Sequence, residues 1–176
     1  GIRSRFGYRT GWGRPRPRIH MNPNVAAIRA SFTTLSRRQH ELVRRFYQNL
    51  FEARPDLRRM FPDDMSRQQE HLSAALSLLI RNADSLEALR PSLMGLGARH
   101  VAFGVTPEHY PPVRDALVSA IAEVGGTSMT AELLEAWRGL INRVCAVMLQ
   151  GAATAALAMA QNLAPMRGSE APSRHA

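Results

Sequence analysis

The apolar residues of this chain recur with a helical period almost from end to end, and no alternating stretch is long enough to suggest a strand. Asn22-Pro23-Asn24 is a helix start, followed by a stripe of Val25, Ile28, Phe32 and Leu35. A second stripe carries Val43, Phe46, Tyr47, Leu50 and Phe51, and Arg54-Pro55 ends it. After a turn over Asp56–Phe61, a third helix places Met65, Leu72, Leu76, Leu79 and Ile80 inward. A fourth, over about 86–102, does the same with Leu89, Leu93 and Leu96. Thr106-Pro107-Glu108 opens a helix with Tyr110, Val113, Leu117, Ile121 and Val124, and Gly125-Gly126 breaks it. The last helix starts near Thr130 and carries Leu134, Trp137, Ile141, Val144 and Met148. The pattern predicts one all-α domain of six or seven helices without internal repeats.

Charge narrows the function classes. The 176 residues carry a formal +9, which would suit a nucleic-acid binder. Six of the basic residues (Arg3, Arg5, Arg9, Arg14, Arg16, Arg18), however, lie in the first twenty positions, which hold no acid. The remainder has 17 basic against 14 acidic residues, an ordinary balance. Residues 1–21 are read as a disordered basic arm outside the fold, of vector origin ahead of Met21, and 164–176 as a loose tail. The folded domain is placed at 22–163, and no nucleic-acid partner is expected. The single cysteine, Cys145, excludes a disulfide framework and a cysteine-based zinc site. No apolar run is expected to approach the roughly 18–20 residues of a membrane span, the stretch Gly151–Ala160 being too short and alanine-rich. A soluble, cytoplasmic protein is the expectation.

Polar residues on apolar stripes carry the chemical signal. His100 lies four residues after Leu96 and three before Phe103; Gln68 lies four before Leu72; Tyr47 shares the stripe of Val43 and Leu50. Singly, each suits a core side chain bonded to some backbone group. Three on three helices suggest a polar-lined pocket, because a buried polar group without a partner costs about 1–3 kcal/mol. An apolar pocket with one inward imidazole and no second ligand cluster fits a haem better than a zinc ion.

The order of these residues resembles the bacterial globins, in particular the single-domain haemoglobins and the globin module of flavohaemoglobins. The resemblance runs over about residues 25–150, and its most specific pieces are RRFYQNLFEARPDLRRMF and LGARHVAFGVTPEHYPPV. It implies a globin fold, a helical sandwich around a haem pocket, with haem b as cofactor and His100 as proximal ligand. It also implies Phe61 stacked on the porphyrin, Tyr47 and Gln68 as distal donors, and Leu72, Leu96 and Val105 as apolar lining. The distal position depends on register. Counting back from His100 reaches Gln68, the favoured reading, whereas counting forward from Phe61 with a longer corner reaches His71. In the favoured register His71 sits one turn on, near an emerging propionate. Tyr110 matches the tyrosine beside the proximal histidine in flavohaemoglobins, but the position of their partner glutamate is about Ala152 here, which puts a strong electron push in doubt.

The implied ligands are O₂, NO or CO, and the implied role is O₂ binding or delivery, or dioxygenation of NO. No G-x-G-x-x-G fingerprint occurs, so turnover would draw on an external reductase. The alternative is a haem-based gas sensor acting through a partner protein. Arg37-Arg38, Arg58-Arg59 and His109 are read as exposed, and Cys145 as a small core residue.

Overall fold

In a computed structural model the described residues are 23–163, so the arm at 1–21 and the tail at 164–176 lie outside them. Six α-helices follow one another: α1 (Pro23–Ser36), α2 (Gln39–Ala53), α3 (Ser66–Arg81), α4 (Leu86–Ala102), α5 (Tyr110–Gly125) and α6 (Ala131–Leu163). Short 3₁₀ turns cover Pro55–Met60, Pro107–His109 and Gly126–Ser128, and there is no strand among the described residues. Their boundaries have local causes. Pro55 holds Arg54 out of helical geometry and ends α2. The Asp64 carboxylate accepts the Ser66 N–H at 2.9 Å where α3 begins. Thr130 Oγ1 accepts the Leu133 N–H at 3.2 Å at the head of α6. Gly126, at φ 59°, ends α5 in a conformation that side chains disfavour.

One core joins these elements. Ile28 and Leu35 of α1, Leu42, Val43 and Leu50 of α2, Ile121 of α5, and Trp137 and Leu140 of α6 are its most buried large side chains. α6 carries much of the packing, against α4, α5 and α1, while α2 packs on α5 and α3. Arginines close two helix ends. Arg38 donates to the Val124 carbonyl at 2.7 Å, and Arg29 to those of Ile80 and Arg81 at 3.3 and 2.9 Å. Cations there satisfy orphan carbonyls and complement the helix dipole. Arg38 is thus a capping residue as well as a solvated one, which its place in an Arg-Arg pair conceals.

Two expectations are corrected. The last helix runs past Met148 to Leu163, and Ala131–Asn162 is long and apolar enough, by length and composition, to cross a membrane. The run was underestimated because Gln150 and Gly151 interrupt the apolar letters without adding charge. Trp137, Leu140, Ile141 and Met148 of that helix lie in the globular core, whereas Leu157 and Met159 are exposed. The second correction concerns α4, whose leucines 89, 93 and 96 are only half-buried; its one buried residue is Gly97.

Trp137 tests the core. Its ring is 1% exposed, and its Nε1–H donates to Ser31 Oγ at 3.0 Å. Trp137→Ala is expected to lower unfolding free energy by about 3–5 kcal/mol. Trp137→Phe, which keeps most of the bulk and leaves Ser31 its bond to the Ile28 carbonyl, should cost about 1–2 kcal/mol for the lost indole bond and the small void. Urea unfolding of the three proteins measures both; equal stability of the Phe and Ala variants would contradict this division.

Candidate ligand-binding site

The α2–α3 corner is built from rings. Tyr47 packs edge-on against Phe46 at 4.7 Å and Phe61 at 5.7 Å, and stacks on Phe51 at 5.9 Å; Phe51 and Phe61 meet at 5.3 Å. Arg58 sits over the Phe51 ring at 5.5 Å and donates to the carbonyls of Phe61 and Pro62, both at 3.1 Å. It therefore fastens the backbone on which Phe61 stands, a role beyond the solvated face expected of it. Phe51 was not singled out as a site residue, although FY-xx-LF placed it one turn from Tyr47.

The corner brings Tyr47 and Gln68 together. The phenol is buried, which pushes its pKa above the ordinary tyrosine value, and a hydrogen bond with the Gln68 side chain tempers that shift. Gln68 itself is half-buried, on the first turns of α3. His71, one turn on, is exposed. Leu72 is half-buried against the core.

On α4, His100 is half-buried and its Nδ1 lies 2.8 Å from the Leu96 carbonyl. A carbonyl only accepts, so Nδ1 carries the proton and Nε2 keeps a free lone pair, the arrangement a metal ligand needs. The backbone at His100 is fixed from the other side. Its carbonyl accepts the N–H groups of Phe103 and Val105 at 3.1 and 3.0 Å, and Gly104 N–H reaches Val101 O at 3.0 Å. Gly104, at φ 78°, supplies the left-handed residue that this helix ending requires. Leu89, Leu93, Leu96 and His100 share one face of α4 by their spacing, and all four are half-buried, as is Val105. A leucine face that protein atoms cover only in part is a fitting cradle for a flat apolar group.

Tyr110 is buried at 8% exposure, and its hydroxyl has no hydrogen-bond partner. Burial, and then the nearby Cys145 thiol, push its pKa up. An orphaned buried hydroxyl costs about 1–3 kcal/mol and suits a residue built to meet a group the protein itself does not supply. His109, expected to be exposed, is half-buried; its Nδ1 accepts the Thr106 N–H at 3.1 Å and caps the turn before α5. No cluster of three His, Cys, Asp or Glu side chains able to hold a bare metal ion occurs among the described residues. A groove of about 690 Å³ between α1 and the head of α6, lined by Ile28, Glu132, Glu135 and Arg143, includes none of these residues.

The helix order, the donor pair on α2 and α3, and the single oriented imidazole on α4 coincide with a family match. A family model for the globins covers residues 44–148. The chain belongs to the globin family. Among curated proteins, it is 30% identical to a flavohemoprotein of Rhizobium meliloti over 113 residues, 62% of this chain and 28% of that protein. With a flavohemoprotein of Bordetella parapertussis the figures are 31% over 133 residues, 73% of this chain and 33% of the relative. The chain thus spans about a third or less of the length of the curated relatives it matches. Among solved structures, an engineered carbene transferase from Rhodothermus marinus has a TM-score of 0.71 at 28% identity, over 78% of this chain and 96% of that one. A Pseudomonas aeruginosa protein described as structurally highly homologous to a human hemoglobin has a TM-score of 0.64 at 27% identity, over 73% and 97%. Family and relatives together support a haem globin.

Both buried phenols favour their neutral form, and the sign of the stability effect follows. Their folded pKa values lie above the unfolded value of about 10, so native protein holds more protons than unfolded chain in alkali. The contribution is complete below about pH 10 and is lost as pH rises through the folded values. Ultraviolet titration should therefore show delayed ionisation that Tyr47→Phe and Tyr110→Phe each reduce. Unperturbed titration of all three tyrosines in native protein would contradict the burial.

Proposed function

We propose that this globin binds haem b through His100 and takes up a diatomic gas, O₂, NO or CO, beside Tyr47 and Gln68. Its role on this reading is O₂ binding or dioxygenation of NO, in the cytoplasm, with electrons from an external reductase. The observation that carries the proposal is the Nδ1 contact with the Leu96 carbonyl, which leaves Nε2 of an otherwise unclaimed imidazole free on a half-covered leucine face. A bound haem would supply an open iron position for the gas and an iron that cycles between oxidation states.

The chain's own groups would do the rest. Hydrogen bonding from Nδ1–H to Leu96 O fixes the imidazole's tautomer and raises the basicity of Nε2. A carbonyl is a weaker acceptor than a carboxylate, so this support is moderate, and the hydrophobic Ala152 in place of a glutamate fits ligand binding better than peroxide cleavage. The Tyr47 phenol, kept neutral by burial, can donate its proton in a hydrogen bond across the physiological pH range. Gln68 can donate at the same place through its amide. Two uncharged donors aimed at a polarised ligand slow its loss. Phe46, Phe51 and Phe61 around the phenol keep water from competing for it. The carbene transferase noted above is derived from a candidate nitric oxide dioxygenase, which favours NO as one partner of the pair.

Two measurements test this. Hemin added to the protein should be taken up at one equivalent with a sharp Soret band, and His100→Ala should lose that ligation; failure of uptake would remove the haem assignment. Tyr47→Phe should release O₂ about ten- to a hundred-fold faster, the equivalent of a hydrogen bond worth about 1.5–3 kcal/mol. For the dioxygenase role, nitrate formed from NO with an added reductase should fall in the Tyr47→Phe, Gln68→Leu double variant. A rate equal to the unaltered protein's would exclude that role for the pair.

A further inference from the structure

α4 and α6 approach each other through two glycines arranged reciprocally. A Cβ on Gly97 of α4 would lie 1.9 Å from the Met148 carbonyl oxygen of α6, and one on Gly151 of α6 would lie 2.0 Å from the Met94 carbonyl oxygen of α4. Met94 and Gly97 are three apart on one helix, Met148 and Gly151 three apart on the other, so the helices seat antiparallel at two points one turn apart. Both glycines are buried. The atoms opposite them are backbone, which cannot rotate aside as a side chain could. Two other glycines of the same helices lack this constraint. A Cβ on Gly95 would meet Arg99 Nη1 at an ordinary 3.7 Å, and one on Gly139 would meet nothing within 4 Å.

We propose that Gly97 and Gly151 are positioning residues, which set how deeply α4 seats on α6 and thereby where the His100 imidazole stands. The inference rests on His100 being the haem ligand. His100 follows Gly97 by one turn, and its ring is tied to the α4 backbone at Leu96 O. Its own carbonyl is pinned by the Phe103 and Val105 N–H groups. With the ring tied to the α4 backbone at Nδ1 and that backbone pinned just beyond it, a displacement of α4 becomes a displacement of Nε2. Opening a 1.9–2.0 Å contact to van der Waals distance needs a shift on the order of 1 Å. Metal–nitrogen distances keep within about 0.2 Å of their usual value. A shift of that size would therefore alter the bond that His100 would make to the iron of a bound haem. Small residues at both points thus let two helix backbones meet where a Cβ would clash, and they hold the ligand helix at one height.

The test uses the full chain loaded with haem. In Gly97→Ala and Gly151→Ala, the iron–histidine stretching band of the ferrous protein should shift in resonance Raman spectra, and the rate of CO release should change several-fold. Gly95→Ala and Gly139→Ala should retain the unaltered band and rate. In a His100→Gly protein given free imidazole, which uncouples the ligand from α4, the same alanine substitutions should leave the band in place. Folded alanine variants that fail to form the histidine bond while the two controls form it also support the proposal. Folded, loaded alanine variants with unaltered band and rate overturn it. If neither alanine variant folds unaided, both are refolded with hemin in a stabilising osmolyte, which strengthens burial without touching the contact; a shifted band there supports the proposal and an unaltered one overturns it. Failure of the haem reading looks different, because then the unaltered protein takes up no hemin or His100→Ala keeps the band.

Discussion

The packing of α6 against the rest of the molecule is the constraint from which the structure follows. Its Trp137, Leu140 and Ile141 fill the centre of the core, and α1, α4 and α5 all rest on it. A helix of 33 residues is about 50 Å long, more than the core can cover, so its last turns leave Leu157 and Met159 exposed. What α6 does for the site is indirect. It presents Met148 and Gly151 as a flat seat for α4, and α4 carries His100. Because that seat is made of backbone, the imidazole is placed by main-chain geometry more than by side-chain packing.

The two halves of the candidate site are stabilised by different physics. On the α2–α3 side, four aromatic rings and a guanidinium hold the corner, and the Gln68 side chain tempers the effect of burial on the Tyr47 phenol. On the α4–α5 side the polar groups are less complete. His100 has a carbonyl partner on one nitrogen only, and the Tyr110 hydroxyl has none. An orphaned buried hydroxyl on α5 and a half-covered leucine face on α4 each give up stability, and a ligand that binds the folded chain would restore some of it by mass action.

Much of this was legible in the residues. The 3.6-residue period located all six helices, because which face of a helix is apolar is written in consecutive side chains. Helix ends at Pro55 and Gly126 were equally local, each a matter of one residue's backbone freedom. The capping arginines were not. Arg38 and Arg58 read as solvated charges, since the carbonyls they serve, at Val124 and at Phe61, enter only through folding. The apolar length of α6 exceeds the expectation for another reason: polar but uncharged Gln150 and small Gly151 punctuate the apolar letters without breaking the helix.

By itself, then, the sequence determined the helices, their order, and the identity of the polar side chains lying on apolar faces. The globin resemblance rested on the same local patterns. Only the tertiary structure decided the distances between helices: that Tyr47 reaches Gln68 while His71 faces solvent, that the leucine stripe of α4 is half-covered, and that Gly97 lies against Met148. The physical reason is that periodicity is a property of neighbours along one chain segment, whereas separation is set by the summed volumes of side chains from segments far apart. A glycine inside a helix hints at close approach, but the backbone it approaches is visible only once both helices are packed.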